Sequence, residues 1–98
     1  MLYDPKWQRT FALDTLVGWL ERQPAKKRYV YESTDECLLA QYFTDQGFYH
    51  EGVGSALVIS QDKYFELPQS FNRISFGNPR TFGAALARAR KELAAYND

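Results

Sequence analysis

Cys37 and His50 are the one cysteine and the one histidine in this sequence, and they are the residue types from which a nucleophile and its general base are made. Ser33, followed three residues later by Glu36, forms a capping box. That places Cys37 near the third position of a helix, where free amides and the helix dipole favour a thiolate. Asp35 and Glu36 beside the sulfur oppose that charge, and Leu38 and Leu39 after it read as core. The same cysteine therefore also reads as a small apolar filler, and a cysteine-dependent hydrolase is the weakest of three functional readings. One Cys and one His with no paired spacing leave only carboxylates to complete a metal site, so no metal is expected. Gly52-Val53-Gly54-Ser55 has the glycines of a phosphate loop, but it lacks the Lys-Ser/Thr ending and no helix is signalled after it. It reads as a turn, and nothing in the chain asks for a cofactor.

Binding is the stronger reading. Lys26, Lys27 and Arg28 are adjacent cations next to Tyr29 and Tyr31, and Arg88 lies in a basic stretch near the end of the chain. Cations interleaved with stackable rings are the ingredients of a single-strand nucleic-acid site, which is the second reading. Against it, the formal net charge is zero, and residues 29–62 hold six acids (Glu32, Asp35, Glu36, Asp45, Glu51, Asp62) with no Lys or Arg. Residues 1–28 carry about +3 and residues 67–98 about +3, so the plain expectation is that the ends fold over the middle and offset its charge. The sharper expectation is an acidic face presented to a basic partner; action through protein contacts is the leading functional reading, with Glu32, Glu51, Tyr49 and Trp19 as binding residues. Tyr3, Trp19, Tyr49 and Tyr96 are the rings expected to be partly exposed. A homo-oligomer is a further possibility, because Ala84, Ala87 and Ala95 would let another helix approach closely.

The elements that position these residues follow from periodicity. Asp4-Pro5 is a helix start, with Trp7 and Phe11 at i, i+4. Leu13, Leu16, Val17 and Leu20 form one apolar stripe on a helix over about 13–22, closed before Pro24, with Trp19 off the stripe. Tyr29-Val30-Tyr31 reads as a strand, and 34–46 as the central, mostly buried helix, closed by Gly47 in a left-handed conformation. Residues 48–54 read as an irregular loop. Residues 56–60 and 64–67 read as a hairpin turning at Gln61-Asp62-Lys63, which pairs with 29–31 into a small antiparallel sheet. Residues 68–76 read as a short helix after Pro68 or as a strand. Phe82, Leu86, Ala89, Leu93 and Tyr96 recur at 4, 3, 4 and 3, which defines a helix over about 81–96 started by Asn78-Pro79 or Thr81.

Ninety-eight residues make one domain, 1–98, of the α+β class, with three main helices on a small antiparallel sheet. Apolar residues are 45% and aromatics 16% of the chain, enough to exclude disorder and to point to a core of large rings. The longest apolar runs are too short to span a bilayer, the N-terminus lacks a signal-peptide layout, and a single cysteine allows no internal disulfide, so the cytoplasm is the expected compartment and no membrane partner is expected. The combination of Trp19-Leu-Glu-Arg-Gln-Pro-Ala, Tyr29-x-Tyr31, Cys37-Leu-Leu-Ala-Gln-Tyr42 and Thr81-Phe-Gly-Ala-Ala-Leu-Ala-Arg resembles short uncharacterised proteins of bacteria and their phages. That resemblance spans most of the chain and implies no activity.

Overall fold

The computed structural model describes residues 9–31, 36–54, 57–61 and 63–97, with residues 96 and 97 described by their backbone alone. The expected helix start at Asp4-Pro5, Glu32, and the rings of Tyr3 and Tyr96 lie outside the described residues. Among those described, the order is α1 (Leu13–Glu21), α2 (Leu38–Asp45), β1 (Gly52–Val53), β2 (Leu57–Ser60), β3 (Lys63–Glu66), α3 (Gln69–Phe76) and α4 (Phe82–Asn97). The class is α+β.

The apolar stripe of α1 is buried at Leu16, Val17 and Leu20, as its spacing requires. Trp19, expected outside that stripe and partly exposed, is only 3% exposed. Its indole packs edge-on against Tyr42 and Phe82, at 5.4 and 5.6 Å, and its Nε1 donates to Asp45 Oδ2 at 2.9 Å. α1 is thus covered on two sides, and the stripe describes only one of them.

Helix α2 is shorter than the span 34–46. Cys37, in an extended conformation, is its N-cap, and the sulfur accepts from Ala40 N at 3.2 Å. Ser33 of the expected capping box lies outside the described residues. The far end matches the sequence signal closely: Gly47 has φ +76°, Gly47 N donates to Thr44 O, and Phe48 N donates to Phe43 O. This paired bonding around a left-handed glycine is a Schellman motif, completed by contact of the Phe43 and Phe48 rings at 5.5 Å. Leu38, Leu39, Ala40, Tyr42 and Phe43 are all buried, so five of the eight residues of α2 face the core.

The sheet differs from expectation in its third strand. β2 pairs antiparallel with β3 through a tight turn at Gln61, and with β1 on its other side, giving the order β1-β2-β3. Gly52–Val53, read as loop, takes the place expected for 29–31. Residues 25–29 run instead beside the start of α4: Tyr29 N donates to Arg80 O, Phe82 N to Lys27 O, and Gly83 N to Ala25 O. Gly83 makes that pairing possible, since a Cβ there would lie 3.0 Å from Ala25 O. Residues 69–76 form a helix with Phe71 and Ile74 buried, and α4 is opened by Thr81, whose Oγ1 accepts from Ala84 N at 3.3 Å.

A continuous column of rings joins these elements. From Phe65 it runs through Phe48, Phe43, Tyr42, Trp19 and Phe82 to Tyr29, with successive centroids 5.7, 5.5, 5.4, 5.4, 5.6 and 5.8 Å apart. Tyr42 donates its hydroxyl proton to Thr10 O at 2.6 Å, and burial holds its ionisation well above the ordinary tyrosine range. Burial also raises Tyr29, against the lowering effect of Arg88.

These two tyrosines set the alkaline limit of stability. Below the unfolded-state pKa of about 10 both states keep the proton and the contribution is complete. Above it the unfolded chain ionises first, and stability falls by about 1.4 kcal/mol per pH unit for each tyrosine that stays protonated in the fold. Urea midpoints should fall as the pH rises above about 10, and Tyr42→Phe should make that fall shallower. A slope that Tyr42→Phe leaves unchanged would mean that Tyr42 ionises as readily folded as unfolded.

Candidate functional site

The structure does not bring Cys37 and His50 together as a nucleophile and base. Cys37 is buried, its sulfur engaged by the Ala40 amide that points toward the start of α2. His50, in the segment before β1, lies with Nε2 3.2 Å from Ala40 O and 3.3 Å from Thr44 Oγ1. A carbonyl only accepts, so Nε2 carries the proton, and Nδ1 is buried with no partner among the described residues. The two residues thus engage the N–H and the C=O of one residue, Ala40, and Cys37 caps a helix rather than occupying its third position. Among the described residues, no group of three or more His, Cys, Asp or Glu side chains gathers as a metal site needs. Gly52 and Gly54 belong to β1 and to its turn, where Gly54 N donates to Leu57 O, and the element that follows is β2 rather than a helix.

Of the expected docking residues, Tyr49 and Glu51 are exposed and lie next to one another at the end of the sheet, where Glu51 N donates to Ile59 O and Tyr49 O accepts from Ser60 Oγ. Trp19 is in the core. The surface that Tyr49 and Glu51 adjoin is the outer face of the sheet. Register places Gly52, Ile59 and Tyr64 side by side on it, with Leu57 opposite Glu66. Val53, Val58 and Phe65 turn the other way, toward the core. Leu57 is 38% and Tyr64 65% exposed. Because Gly52 and Gly54 have no side chains, a hollow of about 330 Å³ opens beside Leu57, Ile59 and Tyr64, with the backbone of residues 52–54 as its other wall. Sequence reasoning missed this face, although the unbroken run Leu57-Val58-Ile59 is apolar at every position and so must present an apolar side to each face of its strand.

The basic candidates separate. Lys26, Lys27 and Arg28 are exposed on the segment after α1 and form no ion pair among the described residues. Arg88 turns inward. Its Nε and Nη2 donate to Ile74 O at 2.9 and 2.8 Å, Nη1 donates to Pro79 O at 3.0 Å, and Nη2 reaches the Tyr29 hydroxyl at 2.9 Å. Tyr29 in turn donates to Ser75 O, and Arg80 to Phe76 O. The last carbonyls of α3, which the helix itself cannot satisfy, are thereby covered by three side chains, two of them cationic as the dipole favours. Ion pairs join Arg9 to Asp14, Arg73 to Glu92 and Arg90 to Glu21, so charge is matched within the terminal segments. The hydrogen bonds from Arg73 hold the Glu92 carboxyl below the usual carboxylate range. On α4, Ala87 and Ala95 are exposed and Ala84 is half-buried.

Substitutions at three positions separate structural from binding roles. Arg88→Lys should lower stability by about 1–3 kcal/mol in urea unfolding, because a single ammonium cannot replace a planar fork on three acceptors. Gly77→Ala should do the same, since its Cβ would lie 2.5 Å from Arg88 Nε. An unchanged midpoint for Arg88→Lys would return Arg88 to the surface. For Cys37, native protein should react with Ellman's reagent only on unfolding. Cys37→Ser should keep the cap and Cys37→Ala lose about 1 kcal/mol. Rapid reaction in native buffer would show a thiol open to substrate. No family model matches the chain, and neither the curated proteins nor the solved structures contain a match to it.

Proposed function

We propose that the protein is a small protein-binding module that docks a basic partner on the outer face of its sheet. The observation that carries this reading is the exposure of Leu57 and Tyr64 around the hollow beside Gly52 and Gly54. An apolar strand face with aromatic anchors and a cavity beside them is what a partner's large apolar side chain fills, and Tyr is among the residues that carry most binding energy. Glu51 and Glu66 stand at the rim with Tyr49 beyond them, which suits basic side chains flanking the partner's anchor. Among the described residues no helix is long and apolar enough to cross a membrane. A single free thiol, Cys37, suits the reducing cytoplasm. Chemistry at Cys37 has no support in its surroundings, so the reading is of a binding protein and not of an enzyme.

The test is affinity capture from the host lysate with wild type, Tyr64→Ala, Leu57→Arg and, as a control on the far helix, Lys91→Ala. Both sheet-face variants should melt as wild type does, because these side chains are exposed. They should weaken the captured complex by roughly 30-fold, a loss of about 2 kcal/mol at a binding hot spot. Glu51→Lys with Glu66→Lys should weaken it further at low salt. A partner held equally well by wild type and both sheet-face variants would remove this face from the function.

A further inference from the structure

We infer that a second surface, the corner where residues 26–31 run beside residues 76–82, is a binding site for single-stranded nucleic acid. It shares no residue with the outer sheet face and stands on its own observations.

The chain first fixes the cations in place. Arg28 and Thr81 form an antiparallel bridge, flanked by the bonds from Tyr29 N to Arg80 O and from Phe82 N to Lys27 O. Two segments that would otherwise be loops therefore hold Lys26, Lys27, Arg28 and Arg80 as a strip across paired backbones. Lys27 is exposed as a residue and holds its Nζ over the Phe82 ring, 5.3 Å from the centroid, so its charge is fixed at the inner side of the strip. At one side of the strip is a hollow of about 320 Å³ lined by Lys27, Arg28, Tyr29, Val30, Glu36 and Gln41, where the two cations are placed to meet a phosphate.

The other side of the strip holds the rings. Phe76 at the end of α3 is 56% exposed, and Tyr31 meets it edge-on with centroids 5.3 Å apart. The Arg80 guanidinium lies 4.8 Å from the Tyr31 ring and 5.5 Å from the Phe76 ring. None of these groups is loosely held. Tyr31 donates its hydroxyl proton to Asn72 Oδ1 at 2.7 Å, and Arg80 donates to Phe76 O at 3.0 Å. An exposed ring with a fixed cation over its neighbour is a stacking platform whose ordering cost is met in the free protein. Bases have π faces and carry one phosphate per residue, so a single strand can use ring and strip together. A duplex keeps its bases stacked inside and can use the strip alone. An acidic peptide likewise satisfies the cations and leaves Phe76 idle.

The experiment is fluorescence anisotropy of a labelled 20-residue oligo-dT titrated with the full chain. Four phosphate contacts give a salt slope of about −3 for a single strand, so affinity should fall roughly 100-fold between 50 and 300 mM KCl. Replacing Lys26, Lys27 and Arg28 together by Gln should flatten the slope to about −1. Phe76→Ala should weaken binding about 5- to 100-fold with the salt slope kept, and Phe76→Trp should restore it. The exposed position of Phe76 lets both variants fold, which their melting curves verify. No saturable binding at 50 mM KCl would overturn the inference. So would equal binding of a duplex, equal competition by polyglutamate, or an unchanged affinity for Phe76→Ala, since each would reduce the corner to unselective attraction of anions.

Discussion

The column of seven rings from Phe65 to Tyr29 is the constraint on which the other elements depend. It starts in the sheet, crosses α2 through Phe43 and Tyr42, passes α1 at Trp19, and ends at Phe82 of α4 and at the segment beside it. Every contact in it is tilted, edge-on or offset, the arrangements that the aromatic quadrupole favours, and each adds about 0.5–1.5 kcal/mol beyond the burial of area. A small domain has little surface to bury, and large rings give the most burial per residue ordered. The column also explains why an eight-residue helix can lie at the centre. Isolated, α2 is too short to persist, but tertiary contact on nearly every face replaces the turns it lacks.

The polar ends of this column are as constrained as its interior. Trp19 ends on Asp45, Tyr42 on Thr10 O, and Tyr29 on Ser75 O, so each ring that carries a donor delivers it to an acceptor fixed by another element. Tyr29 ties the column to the capping of α3, where Arg88 and Arg80 close the remaining carbonyls. Gly77 has no side chain because Arg88 passes through the space it would fill. An arginine so bound is structural, although by composition it counts among the positive charges. The charges left exposed are the ones relevant to a partner, and they form a smaller set than the sequence total.

How much was legible follows from the range of each signal. Helices α1 and α4 and the glycine closing α2 were readable because their signals are local: a stripe at 3 and 4, and a residue that takes φ +76° at no steric cost. The hairpin β2–β3 was readable for the same reason. Tyr29–Tyr31 was misplaced because strand propensity states that a segment is extended and not which neighbour it pairs with. That choice was made by Gly83, fifty residues away, whose bare Cα admits Ala25. Trp19 and Arg88 were misread for a related reason. Their partners, Asp45 and Ile74, are remote in sequence, and a donor looks exposed until its acceptor is placed. Of the site residues, Tyr49, Glu51, Lys26, Lys27 and Arg28 stayed at the surface as expected, whereas Leu57, Tyr64, Tyr31, Phe76 and Arg80 became visible only once register and pairing were known.

The two outward-facing clusters differ in what holds them, and this bears on how each can act. The sheet face rests on three short strands whose rim strand, β1, has two residues, the first of them Gly52, and is followed by Gly54. Its apolar side chains, Leu57, Ile59 and Tyr64, stand on the paired strands β2 and β3, and the glycines in and after β1 leave the space beside them open, which suits a hollow that takes a partner's side chain. The corner at Phe76 is pinned by backbone pairing on one side and by the capped end of α3 on the other, and its guanidinium and phenol each have a fixed hydrogen bond. Rigid placement of this kind is of little use for an adaptable interface and of most use where a flat ring must meet a flat ring at van der Waals distance. The same end of α3 that Arg88 and Tyr29 stabilise from within is therefore the end that holds Phe76 still, so the stability of the fold and the preorganisation of that corner arise from one set of hydrogen bonds.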